Sequence, residues 1–352
     1  MKQIKLNYLF IALAFTVVLT SCHKDKIAQN SGSPVPQRAG LYVLNQGGFG
    51  DDNSTLTYYN YATKQLIPDF YALANPGKQL GDTGNDIEIY GSRMYIVVNN
   101  SNVVDVANAK TGVLIGQVAI NQCRSIVFNG SNAFVTSYDG DVQVIDTASL
   151  TITKFIYVGR DPEQMVIANN KLYVANSGGL SSVPDSTVSV ISLSSFAVEN
   201  SIPVISNPVS VTTDASGNVY VLSLGNYGTI AGGLTIIDSN ADTVKSKPAV
   251  SIGFNVPMTN LGNQIYFPTA DNKIAVYSSI SNKIIQTNFI TDGTVITSPY
   301  AIQADPTSGE IFVADAKDYS SDGTLDAFNS SGKLEYKLTV GINPGKIAFV
   351  NK

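Results

Sequence analysis

One short phrase recurs seven times in this chain of 352 residues: an apolar residue, an aromatic, an apolar pair, then a small polar cluster. It reads Leu41-Tyr42-Val43-Leu44-Asn45, Met94-Tyr95-Ile96-Val97-Val98-Asn99, Ala133-Phe134-Val135-Thr136, Leu172-Tyr173-Val174-Ala175-Asn176, Val219-Tyr220-Val221-Leu222, Ile265-Tyr266-Phe267-Pro268 and Ile311-Phe312-Val313-Ala314-Asp315. Successive aromatics lie 53, 39, 39, 47, 46 and 46 residues apart. A unit repeating at roughly 40 to 50 residues cannot bury its apolar face alone, and that period belongs to the blades of a β-propeller. Residues 161–205 show the grammar of one blade: strands at 164–168, 172–175, 187–193 and 197–204, with Asn169-Asn170 and Ser194-Ser195 as tight turns. The alternation has period two, and Asn, Gly and Ser occupy the turns that need left-handed backbone. The expected fold is all-β, a seven-bladed propeller of four-stranded antiparallel blades over residues 40–352.

The two ends of that segment complement each other. Asn343-Pro344-Gly345-Lys346-Ile347 repeats the first-strand grammar of Asn207-Pro208-Val209 and Asp161-Pro162-Glu163, and the unit that begins at Leu41 lacks such a strand. The C-terminal strand is therefore expected to become the innermost strand of the first blade, closing the ring and leaving no terminal edge.

Residues 1–21 read as a signal peptide. Lys2 and Lys5 precede an apolar run over 8–20, which is too short to cross a bilayer as a helix needing about 20 residues. The run ends in Leu19-Thr20-Ser21-Cys22, which resembles a bacterial lipobox and marks Cys22 for lipidation. Residues 22–39 form a polar tether. The expected location is the outer membrane, lipid-anchored, on the cell surface or the periplasmic face; His23-Lys24-Asp25-Lys26 departs from the acidic run that favours surface export.

Composition narrows the chemistry. Residues 1–21 hold two lysines and no acids, so of 22 basic and 27 acidic residues, 20 and 27 remain in the mature chain. Scattered net acidity argues against nucleic acid, whose phosphates call for basic clusters. Cys123 is the only cysteine besides Cys22 and reads as a packed apolar residue. The only histidine is His23, so the folded segment has no Ser-His-Asp or Cys-His pair and no histidine metal ligand. An enzyme is not expected, nor a cofactor. Asp315, Asp318 and Asp322 are the candidates for a calcium site, although their spacing does not match an EF-hand loop.

The Leu172–Asn176 phrase, the Pro-bearing turn before it and the alternating strand after it resemble the YncE-like seven-bladed propellers over residues 40–352. Behind a lipobox, the arrangement is similar to the BtuG-type cobalamin-capturing surface lipoproteins of gut Gram-negative bacteria. That resemblance implies an envelope lipoprotein that binds cobalamin or another corrinoid on one propeller face and passes it to a TonB-dependent outer-membrane transporter. The membrane itself is met through the lipid on Cys22. In a propeller, the turns entering the inner strands and the loops after the second strands open on one face. Here they carry Phe49, Asn99, Gln122, Arg124, Tyr138, Asp139, Arg160, Gln164, Asn176, Asn226, Tyr227, Phe254, Tyr300, Asp315 and Tyr319, amide groups and flat aromatic faces suited to a large amide-decorated ligand. The other reading is a protein-interaction scaffold at the envelope with no small-molecule ligand.

Overall fold

The computed structural model describes residues 37–352. The expected signal peptide, Cys22 and the tether up to residue 36 lie outside the described residues. The rest forms seven four-stranded antiparallel sheets, one per repeat. The inner strands, which line a central channel, are Pro344–Asn351 for blade 1, then Gly84–Tyr90, Cys123–Asn129, Pro162–Ala168, Pro208–Thr213, Thr259–Leu261 and Pro299–Ala304 for blades 2 to 7. The second strands are Arg38–Asn45, Arg93–Val98, Asn132–Ser137, Lys171–Asn176, Val219–Gly225, Gln264–Pro268 and Ile311–Asp315. Each contains one of the seven recurring aromatics, as the repeat predicts.

The recurrence has a packing cause. Each interface between neighbouring blades is one apolar cluster, and in all seven the recurring aromatic faces the following blade. Tyr42 packs with Ile87 and Met94 of blade 2, Tyr173 with Val219 and Val221 of blade 5, and Phe312 of blade 7 with Leu41 and Val43 of blade 1. Its neighbours in the strand point the other way, into the preceding interface, as strand geometry requires. The buried hydroxyls find partners: Tyr42 Oη donates to Ala109 O at 2.9 Å, and Tyr173 Oη to Asp242 Oδ1 at 2.5 Å. Cys123 is fully buried among Tyr95, Val97 and Ile126, and burial pushes its thiol pKa up to about 12.

Ring closure follows the expected route. Pro344–Asn351 pairs antiparallel with Arg38–Asn45, aligning Leu41 with Phe349 and Val43 with Ile347. The second strand starts at Arg38, inside the stretch expected as tether, because Arg38 is held in place: its guanidinium reaches the fully buried Asp305 of blade 7 at 2.6 Å and lies 4.9 Å from the Phe349 ring centroid. Inside the channel, Lys346 on the closing strand meets Asp86 at 2.9 Å and Glu88 at 3.2 Å, both on blade 2.

The longest interval, between Tyr42 and Tyr95, holds the one helix among the described residues, Phe70–Ala74. Asp69 caps it by accepting from Ala72 N at 3.1 Å. Blade 1 has an outer strand of only two residues, Leu66–Ile67, and the helix covers that blade instead, with Phe70 against Tyr42 and Tyr58 and with Tyr71 donating to Asp105 at 2.6 Å.

Candidate functional site

The inner strands begin at one mouth of the channel, and their first turns share an unusual backbone. Thr83, Gln122, Asp161, Asn207 and Asn343 each immediately precede an inner strand and have φ of 65°, 41°, 44°, 58° and 52°. Left-handed backbone at a β-branched threonine is costly, so the surrounding hydrogen bonds must impose it. Asn99 N, for example, donates to Thr83 O at 2.8 Å. These turns set the following side chains in register around the mouth.

A cavity of about 310 Å³ occupies the mouth, lined by Gln46, Asn85, Arg124, Glu163, Gln164, Phe254, Asn255 and Tyr300 among others. Asn85, Arg124 and Glu163 are the second residues of three successive inner strands, and they join into one network. Arg124 reaches Glu163 Oε2 through Nη2 at 2.8 Å and through Nε at 3.0 Å. Its Nη1 donates to Asn85 Oδ1, and its guanidinium carbon lies 5.0 Å from the Tyr138 ring centroid. Tyr138 Oη donates to the other oxygen of Glu163. Burial disfavours the charged guanidinium, but the Glu163 carboxylate outweighs it and raises the Arg124 pKa above its ordinary value. Across the mouth, Tyr300 Oη donates to Gln46 Oε1, and burial pushes that phenol up to about 12. Below lies a second cavity of about 250 Å³, the channel itself, which includes Asp86, Glu88, Gln164, Thr212, Asn260, Gln303 and Lys346.

The opposite side of the mouth is aromatic. Phe254 is 75% exposed, Tyr227 65%, Phe49 78% and Tyr319 45%. Tyr227 and Phe254 have ring centroids 6.5 Å apart, Tyr300 and Tyr319 6.0 Å, and Asn255 Nδ2 donates to Tyr319 Oη at 2.9 Å.

Of the residues expected at this face, Arg124, Gln164, Phe254 and Tyr300 line the mouth cavity, with Tyr138 beneath Arg124. Phe49, Tyr227 and Tyr319 stand on its rim loops. Tyr138, Asp139 and Arg160 line a separate open groove of about 370 Å³ between blades 3 and 4, where Arg160 lies 3.9 Å from Asp185. Gln122 is exposed, and its backbone nitrogen donates to Asn102 Oδ1 at 2.7 Å.

Four expected residues serve the scaffold instead. Asn176 is fully buried, bonding Thr187 and Ser189 at 3.0 Å within its own blade, and Asn99 is buried and donates to Cys123 O at 2.9 Å. Asn226 caps its hairpin by accepting from Ile230 N at 2.7 Å. Asp315 is buried and accepts from the backbone nitrogens of Thr297, Ser298 and Lys317. The candidate calcium trio is not assembled either: Asp318 closes an Asx turn on Ser320 and Ser321, and no group of three or more acidic, His or Cys side chains able to hold a metal occurs among the described residues. Short polar residues at strand ends and turns satisfy backbone donors first.

Asn85, Glu163 and Asn255 on the entering turns and Gln46 after a second strand, all polar rim positions of the repeat, complete the mouth, and Lys346 lines the channel. The signal for two of them is in the spacing: Asn85, Arg124 and Glu163 follow one another at 39 residues, one blade period, and so occupy one level of the ring.

Among solved structures, hydrazine synthase from Kuenenia stuttgartiensis has a TM-score of 0.65 at 16% identity, covering 75% of this chain and 89% of that one. A quinonprotein alcohol dehydrogenase-like protein from Bacteroides thetaiotaomicron has a TM-score of 0.64 at 20% identity, covering 89% and 78%. At these identities the likeness is one of fold. No curated protein matches the sequence. Residues 39–343 match the family described as Domain of unknown function (DUF5074), and with a propeller built blade for blade as its repeats require, the chain belongs to that family.

Proposed function

We propose that this propeller is a binding protein that captures a large cyclic ligand at the channel mouth, a corrinoid such as cobalamin or cobinamide, and passes it to a TonB-dependent outer-membrane transporter. In this reading the chain is held at the outer membrane by a lipid on Cys22 and performs no catalysis.

The observation that carries the reading is the mouth itself. Its cavity of about 310 Å³ is at the lower end of small-molecule sites, so a large ligand would seat one edge there and lie across the exposed aromatic rim. The floor is rigid, because the Arg124–Glu163–Tyr138–Asn85 network and the Tyr300–Gln46 bond fix its side chains. With its only histidine at His23, the folded segment offers no imidazole to a corrin cobalt, so capture rests on shape and hydrogen bonds.

The test is to mix the purified full chain in detergent with cyanocobalamin or cobinamide and follow corrinoid absorbance on a sizing column. Stoichiometric coloured co-elution is expected; complete separation of colour from protein overturns the corrinoid reading. The groove between blades 3 and 4 favours a second reading, a protein partner, since Tyr157, Leu180 and Val183 beside it are at least 70% exposed. A partner recovered from corrinoid-free membranes, with no small-molecule binding, would select that reading.

A further inference from the structure

The mouth divides into two halves of different chemistry. On blades 2 to 4 it holds the only charged lining residues among those described, Arg124 and Glu163, and these neutralise each other. The Nε, Nη1 and Nη2 atoms of Arg124 each donate within the protein and its face covers Tyr138, so the Glu163 carboxylate already holds one guanidinium edge and repels an incoming anion. On blades 5 to 7 the rim is built of rings.

Two of those rings are displayed at the expense of backbone strain. Tyr227 and Tyr319 have φ of 54° and 64°, left-handed conformations rare for bulky residues. They stand on either side of the Phe254-Asn255 dipeptide, Tyr227 against the Phe254 ring and Tyr319 bonded to Asn255. Each is also tied to a left-handed asparagine of an inner-strand turn: Asn207 Nδ2 donates to Tyr227 Oη at 3.1 Å, and Asn343 Nδ2 approaches Tyr319 O at 3.4 Å. Asn207 and Asn343 are more than nine-tenths buried, and the Oδ1 of each has no hydrogen-bond partner among the described residues. Strained backbone and exposed rings coincide here, on the aromatic side.

We infer that Tyr227, Phe254 and Tyr319 form a ring-stacking subsite for an uncharged cyclic ligand, whose amide or hydroxyl edge is read by Gln46 and Gln164. The rings supply rigid flat area to an apolar ring face. Gln46 and Gln164 each accept through Oε1, from Tyr300 Oη and from Val211 N, and their amide N–H groups make no hydrogen bond among the described residues. Arg124 and Glu163 form a floor rather than an anion site. This inference rests on the mouth being a ligand site, but not on the ligand being a corrinoid; a neutral sugar ring presents the same chemistry.

Isothermal titration of the full chain in detergent with dicyanocobinamide, cyanocobalamin, maltoheptaose and inorganic phosphate tests it. At least one neutral ring ligand is expected to bind, Tyr227→Ala/Phe254→Ala to weaken it about tenfold or more, and phosphate not to compete. Phe155→Ala, an exposed ring on the outer strand of blade 3, is expected to leave affinity unchanged. Binding of maltoheptaose alone, with the same dependence on Tyr227 and Phe254, supports the subsite and overturns the corrinoid reading. Three results overturn the subsite: no binding of any neutral ring ligand, binding indifferent to the double variant, or phosphate binding at the mouth lost in Arg124→Gln. Both rings of the double variant are exposed, so its far-ultraviolet circular dichroism and unfolding midpoint should match the parent and separate loss of binding from loss of fold.

Discussion

Blade 4 and blade 6 answer the same repeat in different ways. Blade 4 has an inner strand of seven residues, Pro162–Ala168, entered directly from a left-handed turn at Asp161. In blade 6 the inner strand is three residues, Thr259–Leu261, and residues 247–258 before it carry no regular structure. Both blades nevertheless keep their second strand and both apolar interfaces, with Leu172 and Tyr173 in one and Phe267 and Tyr266 in the other. The second strand therefore carries the ring, and the start of the inner strand is where a blade can give up ladder bonds. Blade 6 uses that freedom to place Phe254, Asn255 and Pro257 in the mouth. A rigid scaffold with variable loops at one end is the usual arrangement for a binding site.

The sharpest way to break this comparison is to cut at the second strands. Phe134, in the interface with blade 4, and Phe267, in blade 6, are both fully buried, and each change to Ala is expected to cost about 3–5 kcal/mol in denaturant unfolding. A cost below about 1 kcal/mol for Phe267→Ala alone would show that the short inner strand has already loosened blade 6.

The closure clasp comes next. Burial alone would raise the Asp305 pKa, but hydrogen bonds and charge from Arg38 outweigh it and hold the carboxyl below its ordinary value near ~3.9. A depressed folded pKa gives stability that is present above the unfolded value and lost as pH falls through the folded one. Arg38→Met is therefore expected to cost about 3 kcal/mol at pH 7, by leaving a buried carboxylate unpaired, and markedly less near pH 3. An equal cost at both pH values would place the effect in packing on Phe349 instead.

Changes in the display loops should be the smallest. Phe254→Ser is expected to alter stability by no more than about 0.5 kcal/mol, because the ring is exposed. Chelation should leave the unfolding midpoint unmoved, since Asp315 and Asp318 are engaged with backbone donors; a rise of several degrees on adding calcium would restore the metal reading of that loop.

The architecture was legible because its determinants are local and repeated. Seven aromatics at blade period and a C-terminal strand matching the gap in blade 1 specify ring and closure. Part of the mouth was legible in the same way, since Phe254, Tyr227 and Tyr319 fall in loops that the repeat assigns to one face. What the sequence did not separate was display from capping. Asn176 and Asp315 have the composition of ligand-binding residues, yet they lie at the ends of second strands, where unsatisfied neighbours claim them. The pairing of Arg124 with Glu163 crosses two blades, and only the ring geometry shows that the charge is consumed.

The central claim is that ligand is taken on the aromatic side of the channel mouth. Amide hydrogen exchange on the full chain, with and without cyanocobalamin, tests it most directly. The expected result is slowed exchange confined to the loops around residues 46–54, 226–230, 251–257 and 316–322. Protection on the outer strands or around the groove between blades 3 and 4, or none at all, would contradict it.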